Sequence, residues 1–176
     1  MPKILLTLAL LALPFFQSCG RDPKGGIACL EALPPQYRNG VLRLSADNAD
    51  PDPKFWYVAA QTASDGIHNL TLAAGNVVSD KPALGLRELF SSASPVDIAK
   101  LAFDSGDAFA RARDYGQANG KVVESVSFQL QQNGSNAAPV WTLWCYGPGE
   151  SYLGQMQMLA TDGTVVANSD FPAKPR

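Results

Sequence analysis

Charge is scarce in this chain. Only 17% of its 176 residues are Asp, Glu, Lys or Arg, and the formal net charge is −2. Nucleic-acid binding needs a clustered positive field, so that class is excluded. Disorder needs high charge with few apolar residues, whereas 46% of this chain is apolar. Histidine occurs once, at His68, which rules out a His-rich metal site and an HExxH motif. There is no GxSxG elbow, SxxK, Walker loop, dinucleotide-binding Gly-rich turn or CxxC. Gly147-Pro148-Gly149 lacks the strand-to-helix context that phosphate cradling requires. Nor is there a membrane-spanning run. The longest apolar stretch, Ile4 to Phe16, holds 13 residues. As a helix it spans about 20 Å, against a hydrocarbon core of about 30 Å.

What is present begins with an address. Lys3 followed by that apolar run has the layout of a signal peptide, with residues 1–18 removed. Phe16 is too large for position −3 of an ordinary signal-peptidase site. The end of the run, Phe16-Gln17-Ser18-Cys19, resembles the lipobox of bacterial lipoproteins, with Phe16 and Gln17 where Leu and a small residue are usual. The resemblance implies a diacylglyceryl thioether on Cys19, cleavage before it and acylation of the new N-terminus. The expected partner is then a membrane, reached through palmitate-type chains on Cys19. The expected location is the bacterial cell envelope, facing the periplasm or exterior. Gly20 at +2 tilts it toward the outer membrane. Residues 19–26 read as a flexible tether.

The other two cysteines, Cys29 and Cys145, are read as buried thiols behaving as small hydrophobes, with a disulfide as the alternative that an oxidising compartment permits.

An internal repeat organises the rest. Val41, Asn48 and Trp56 match Val126, Asn133 and Trp141 at an offset of 85. Leu72 to Val78 is similar to Ala160 to Val166 at an offset of 88, with the three extra residues expected in Gly147-Pro148-Gly149-Glu150. The second copy is clearer. Asp104 or Ser105 caps a helix over 105–118, with Asp107 in its first turn and Ser105, Ala108, Phe109 and Ala112 on one face. Val126, Phe128 and Leu130 alternate with polar residues in a half-buried strand. Trp141 to Tyr146 and Tyr152 to Ala160 are further strands. Asp162-Gly163 makes a hairpin, and Val165-Val166-Ala167 closes the meander. In the first copy, Gly26 to Arg38 is broken by Pro34-Pro35. Between copies, Leu84 to Phe90 suits one or two helical turns, and Ile98 to Phe103 an irregular approach to the second helix.

One helix followed by a meander with Trp on its second strand resembles the PepSY domain. The residues that carry the likeness are Asp104-Ser105, Ala108/Ala112/Gly116, Pro139-Val140-Trp141 and Asp162-Gly163-Thr164-Val165-Val166. The resemblance implies an α+β fold of two PepSY-like units, antiparallel meanders with a helix packed on the sheet at least in the second. Residues 27–92 form the degenerate first unit and 93–176 the second. It also implies association with, or inhibition of, secreted peptidases.

No catalytic, cofactor-binding or metal-ligating residue is expected. His68 reads as solvent-facing or hydrogen-bonded, just before a strand. Asp47, Asp50 and Asp52 read as a solvated turn, lacking the Gly and terminal Glu of an EF-hand. Trp144 and Tyr146 point opposite to Trp141 by alternation. They are candidate ligand-facing aromatics, though a second buried face is the more economical reading. The expected function is a non-enzymatic, lipid-anchored envelope protein binding a peptide, protein or small ligand. The alternatives are an envelope hydrolase with an unrecognisable site and a structural module of an envelope complex.

Overall fold

The computed structural model describes residues 25–49, 51–64, 66–83, 90–166 and 171. The signal peptide, Cys19, the helical turns expected over 84–89, Asp50 and Ala167 lie outside them. Gly25 and Gly26, assigned above to the tether, are buried, and Gly26 opens a helix. The folded body therefore starts inside the expected tether.

That helix, α1 (Gly26–Glu31), is followed by α2 (Pro35–Arg38). Pro34 disfavours helical backbone at the residue before it, and Pro35 sits in the first turn of α2, where its missing N–H costs nothing. Strands β1 (Val41–Ala49), β2 (Trp56–Thr62), β3 (Gly66–Ala73) and β4 (Asn76–Pro82) follow as an antiparallel meander. After an irregular crossing come α3 (Ser105–Ala118), β5 (Ser125–Gln131), β6 (Val140–Gly147) and β7 (Ser151–Leu159). The expected helix and the three following strands of the second copy lie where the sequence places them.

Both meanders share one sheet, ordered β4-β3-β2-β1-β5-β6-β7. Strands β1 and β5 pair antiparallel at its centre, with Leu44 opposite Leu130. The halves lie side by side, related by an approximate two-fold axis between those strands. Register exposes the repeat directly. Val41 faces Ala60 as Val126 faces Cys145, and Leu44 faces Val58 as Phe128 faces Leu143. Trp56 faces Leu72 as Trp141 faces Met158, and Leu72 faces Val77 as Met158 faces Val165. Leu72 thus corresponds to Met158 rather than Ala160. One extra residue is Leu153, a bulge within β7, and two lie in the turn after β7; none lies in Gly147–Glu150. Among the described residues, closure by Val165 is a single bridge.

One face of the sheet carries the core. Trp56, Phe128 and Trp141 meet at its middle, with ring centroids 5.7 to 6.2 Å apart. Each such fully buried side chain contributes about 1.5–3 kcal/mol. Ile27, Leu30 and Leu33 cover the first half; Ala108, Phe109 and Ala112 cover the second. The N-termini of α1 and α3 abut, which would set two positive dipole ends together. Asp104 resolves this. Its carboxylate accepts from Ser105 N (2.6 Å) in its own capping box and from Ile27 N (3.0 Å) of α1, while Ser105 Oγ accepts from Gly26 N (3.0 Å). Two glycines permit close approaches. A Cβ on Gly40 would lie 1.8 Å from the Gln61 carbonyl oxygen, and one on Gly163, at φ +74°, would lie 2.4 Å from the Phe103 ring. Among the described residues no helix is long and apolar enough to cross a membrane.

Candidate functional site

The opposite face of the sheet is where the aromatic candidates stand. Trp144 and Tyr146 are half-buried there, while Trp141 on the same strand is fully buried in the core. Alternation along β6 is as expected, but this second face is not a second core. Among the described residues one end is covered, where Phe90, Ala83 and Ala93 pack on Leu42, Ala59 and Ile67, with the Arg43 guanidinium 5.2 Å from the Phe90 ring centre.

Elsewhere the strands present hydroxyl and amide groups. Ser45 on β1 stands between Tyr57 of β2 and Gln129 of β5. The row runs outward through Thr142 to Gln157 on one side. On the other it runs through Thr71 to Ser79. It crosses all seven strands without using any of the chain's 14 basic or 16 acidic side chains. The next row places Trp144 between Ser127 and Gln155. Tyr146 follows, its ring 5.8 Å from that of Tyr152. Three shallow depressions join along this face. One of about 660 Å³ lies against the β1–β2 loop, beside Phe55 and Lys54. One of about 370 Å³ sits over β1–β3 and one of about 440 Å³ over β1, β5 and β6. Asp47 borders all three, and Tyr57 borders two. Together they form one trough, with Arg43, Lys54, Asp47 and Asp52 as its charged members.

The row was hidden from sequence reasoning because each member is an ordinary Ser, Thr, Gln or Tyr. Only the pairing register lines them up. The available signal was period-two alternation, which placed Gln129 and Thr142 opposite the core residues of their strands.

Of the two expected readings His68 takes the hydrogen-bonded one, but it does not stand ahead of its strand. It lies within β3 and is buried, because its strand partner Ala60 turns that row toward the core. Its Nδ1 is 2.8 Å from Asp80 Oδ1, and Tyr37 donates its hydroxyl to the other carboxylate oxygen. The Tyr37 hydrogen bond, then that of His68, holds the Asp80 carboxyl below the usual carboxylate range. His68 Nε2 is buried with no hydrogen-bond partner among the described residues. This is the carboxylate–imidazole half of a catalytic triad without a nucleophile at Nε2. Its observed role is to lock α2 onto the edge of the sheet.

The two described cysteines are unbridged and buried. Burial pushes the Cys29 thiol up to about 11 and the Cys145 thiol up to about 12. Neither is a nucleophile at neutral pH. Asp47 and Asp52 border the loop depression, and Asn48, at φ +43°, ties that loop to the second half through Ser127 Oγ and Glu150. Among the described residues no group of three His, Cys, Asp or Glu side chains could hold a metal ion. No protein family, curated protein or solved structure matches the chain.

Proposed function

We propose that this chain is a non-enzymatic envelope lipoprotein, anchored through acyl chains on Cys19, whose open sheet face is its binding surface. The trough carries this reading. It is extended, shallow and bordered by half-buried aromatics, the shape of a surface that holds a peptide, protein segment or small ligand rather than one that converges acid and base on a reacting bond. The anchor supports it. Cys19 precedes the first residue of α1 by seven positions, so even a fully extended link holds the body within about 25 Å of the lipid. Several acyl chains give firm attachment at about 0.8 kcal/mol per buried methylene. We read the two halves as PepSY-like units fused into one sheet. The matched positions of Trp56 and Trp141 favour this, and an association with envelope peptidases follows from the family likeness.

Labelling cells with a palmitate analogue tests the anchor. Wild type is expected to take up label and Cys19→Ala to lose it, and an unlabelled wild type overturns the lipoprotein reading. Affinity capture from envelope extract with the full-length protein tests the binding reading. A partner lost on Trp144→Ala supports it. Turnover of a generic ester or peptide without any captured partner supports the hydrolase instead.

A further inference from the structure

We infer that the trough on the open face binds an uncharged oligosaccharide strand lying across the β-strands, an inference that rests on the binding reading above and names its ligand. Three observations converge. First, the central row from Ser79 to Gln157 consists of hydroxyl and amide side chains, all but the buried Thr142 at least partly exposed, and each able to donate as well as accept, like the hydroxyls and acetamido groups of a neutral sugar chain. Six inter-strand gaps of roughly 4.8 Å make the row about 29 Å long, suited to an extended polymer rather than a single small molecule.

Second, charge is balanced. The trough's charged members are Arg43, which is engaged over Phe90, Lys54, Asp47 and Asp52, so neither a polyanion nor a polycation finds a matching field. On a surface that only had to meet water, Lys and Glu would serve as well as Gln and Ser. Third, aromatic rings stand in and beside the polar row. Tyr57, its β2 member, is 43% exposed; Trp144 is half-buried in the next row, and Tyr146 pairs with Tyr152. A pyranose has an apolar C–H face and polar edges, so it matches a polar row edged by rings that combine an apolar body with a polar tip. A peptide is the weaker match. Its backbone groups are served by a strand edge, whereas here they would cross the strands at right angles to the ladder.

The test uses the mature full-length protein in a sugar-free detergent, titrated with the β-1,4-linked N-acetylglucosamine hexamer, with cellohexaose and with the acidic hexagalacturonate. Tryptophan emission and calorimetry follow binding. Trp56 and Trp141 are buried, so a ligand in the trough is sensed by Trp144. At least one neutral hexamer is expected to bind saturably and change the emission, with its trimer at least tenfold weaker. Tyr57→Ala and Gln129→Glu are each expected to weaken that binding at least tenfold while the thermal unfolding midpoint stays put. Absence of saturable binding by both neutral hexamers, tighter binding of the acidic one, or undiminished binding by both variants overturns the inference. If an envelope protein is captured through Trp144 while no neutral sugar binds, the inference fails and the broader binding reading survives. A protein neither captured through this face nor bound to sugar loses both.

Discussion

In the N-terminal half, six residues of α1 and four of α2 lie over four strands; in the C-terminal half, one 14-residue helix lies over three. Beneath these different covers the core-facing pairs of the strands repeat despite a bulge in each half, with Trp56 and Trp141 both buried at the centre. The strand register is thus the fixed part of the design and the cover is the variable part. A lid needs only to supply apolar volume over the tryptophans, and Ile27, Leu30 and Leu33 do so as well as Ala108, Phe109 and Ala112. The halves diverge most at the outer corner. His68 and Gly154 occupy matching places, opposite Ala60 and Cys145. The first half fills that corner with the Tyr37–Asp80–His68 network, and the second leaves it to a glycine.

The equivalence breaks most readily at the tryptophans. Trp56→Ala and Trp141→Ala are each expected to cost about 3–5 kcal/mol, read from urea unfolding at neutral pH. Trp141 donates its indole N–H to the Phe103 carbonyl at 2.9 Å, and the loss of that bond contributes about 1 kcal/mol of its cost. If Trp56→Ala unfolds with a cost below about 1 kcal/mol, the halves share geometry without sharing load. Asp104→Ala comes next. An ordinary cap contributes about 0.5–2 kcal/mol, and this carboxylate serves the ends of two helices, one from each half. An expected loss of about 2–3 kcal/mol, with Asn retaining part of it, makes Asp104 the joint between the two lids. A loss no larger than that of a single cap assigns α1 to the sheet alone.

How much of this was legible follows the same division. Helix α3 was readable because its cap, apolar stripe and stop all sit within fourteen residues, and β5 because Val126, Phe128 and Leu130 alternate cleanly. Tertiary demands hid the rest. β1 carries a register shift between Val41 and Arg43 that turns Leu42 to the open face, and no local pattern announces such a bulge. β4 was hard to separate from a loop because, as an edge strand, it is largely exposed. For His68 a solvent-facing and a hydrogen-bonded reading stood level because its partner, Asp80, stands twelve positions away across a hairpin. The candidate trough was the least legible element. It exists only where the two meanders are joined through β1 and β5, and that pairing spans more than eighty residues of chain.

The smallest expected effect concerns acid. Each half holds one carboxyl below the usual range at its outer hairpin. Asp80 is held by hydrogen bonds from Tyr37 and then His68, and Asp162 chiefly by the backbone N–H of Thr164, at 2.8 Å. A carboxyl with a lowered folded-state pKa binds fewer protons folded than unfolded. The stability it contributes is therefore complete above the unfolded value of about 4 and drains away as pH falls through the folded one. Asp80→Asn is expected to lower the urea midpoint at pH 7 and to converge on wild type as pH falls below the folded-state value. Asp162→Asn should do the same more weakly, since its turn is open to solvent and screened. Both side chains are solvent-accessible, so the comparison lies in rank and slope. A steeper acid loss in the half that carries the Tyr37 network shows that the histidine corner braces the lid. Parallel curves for wild type and Asp80→Asn would reduce that network to packing, and the two corners would then differ in shape alone.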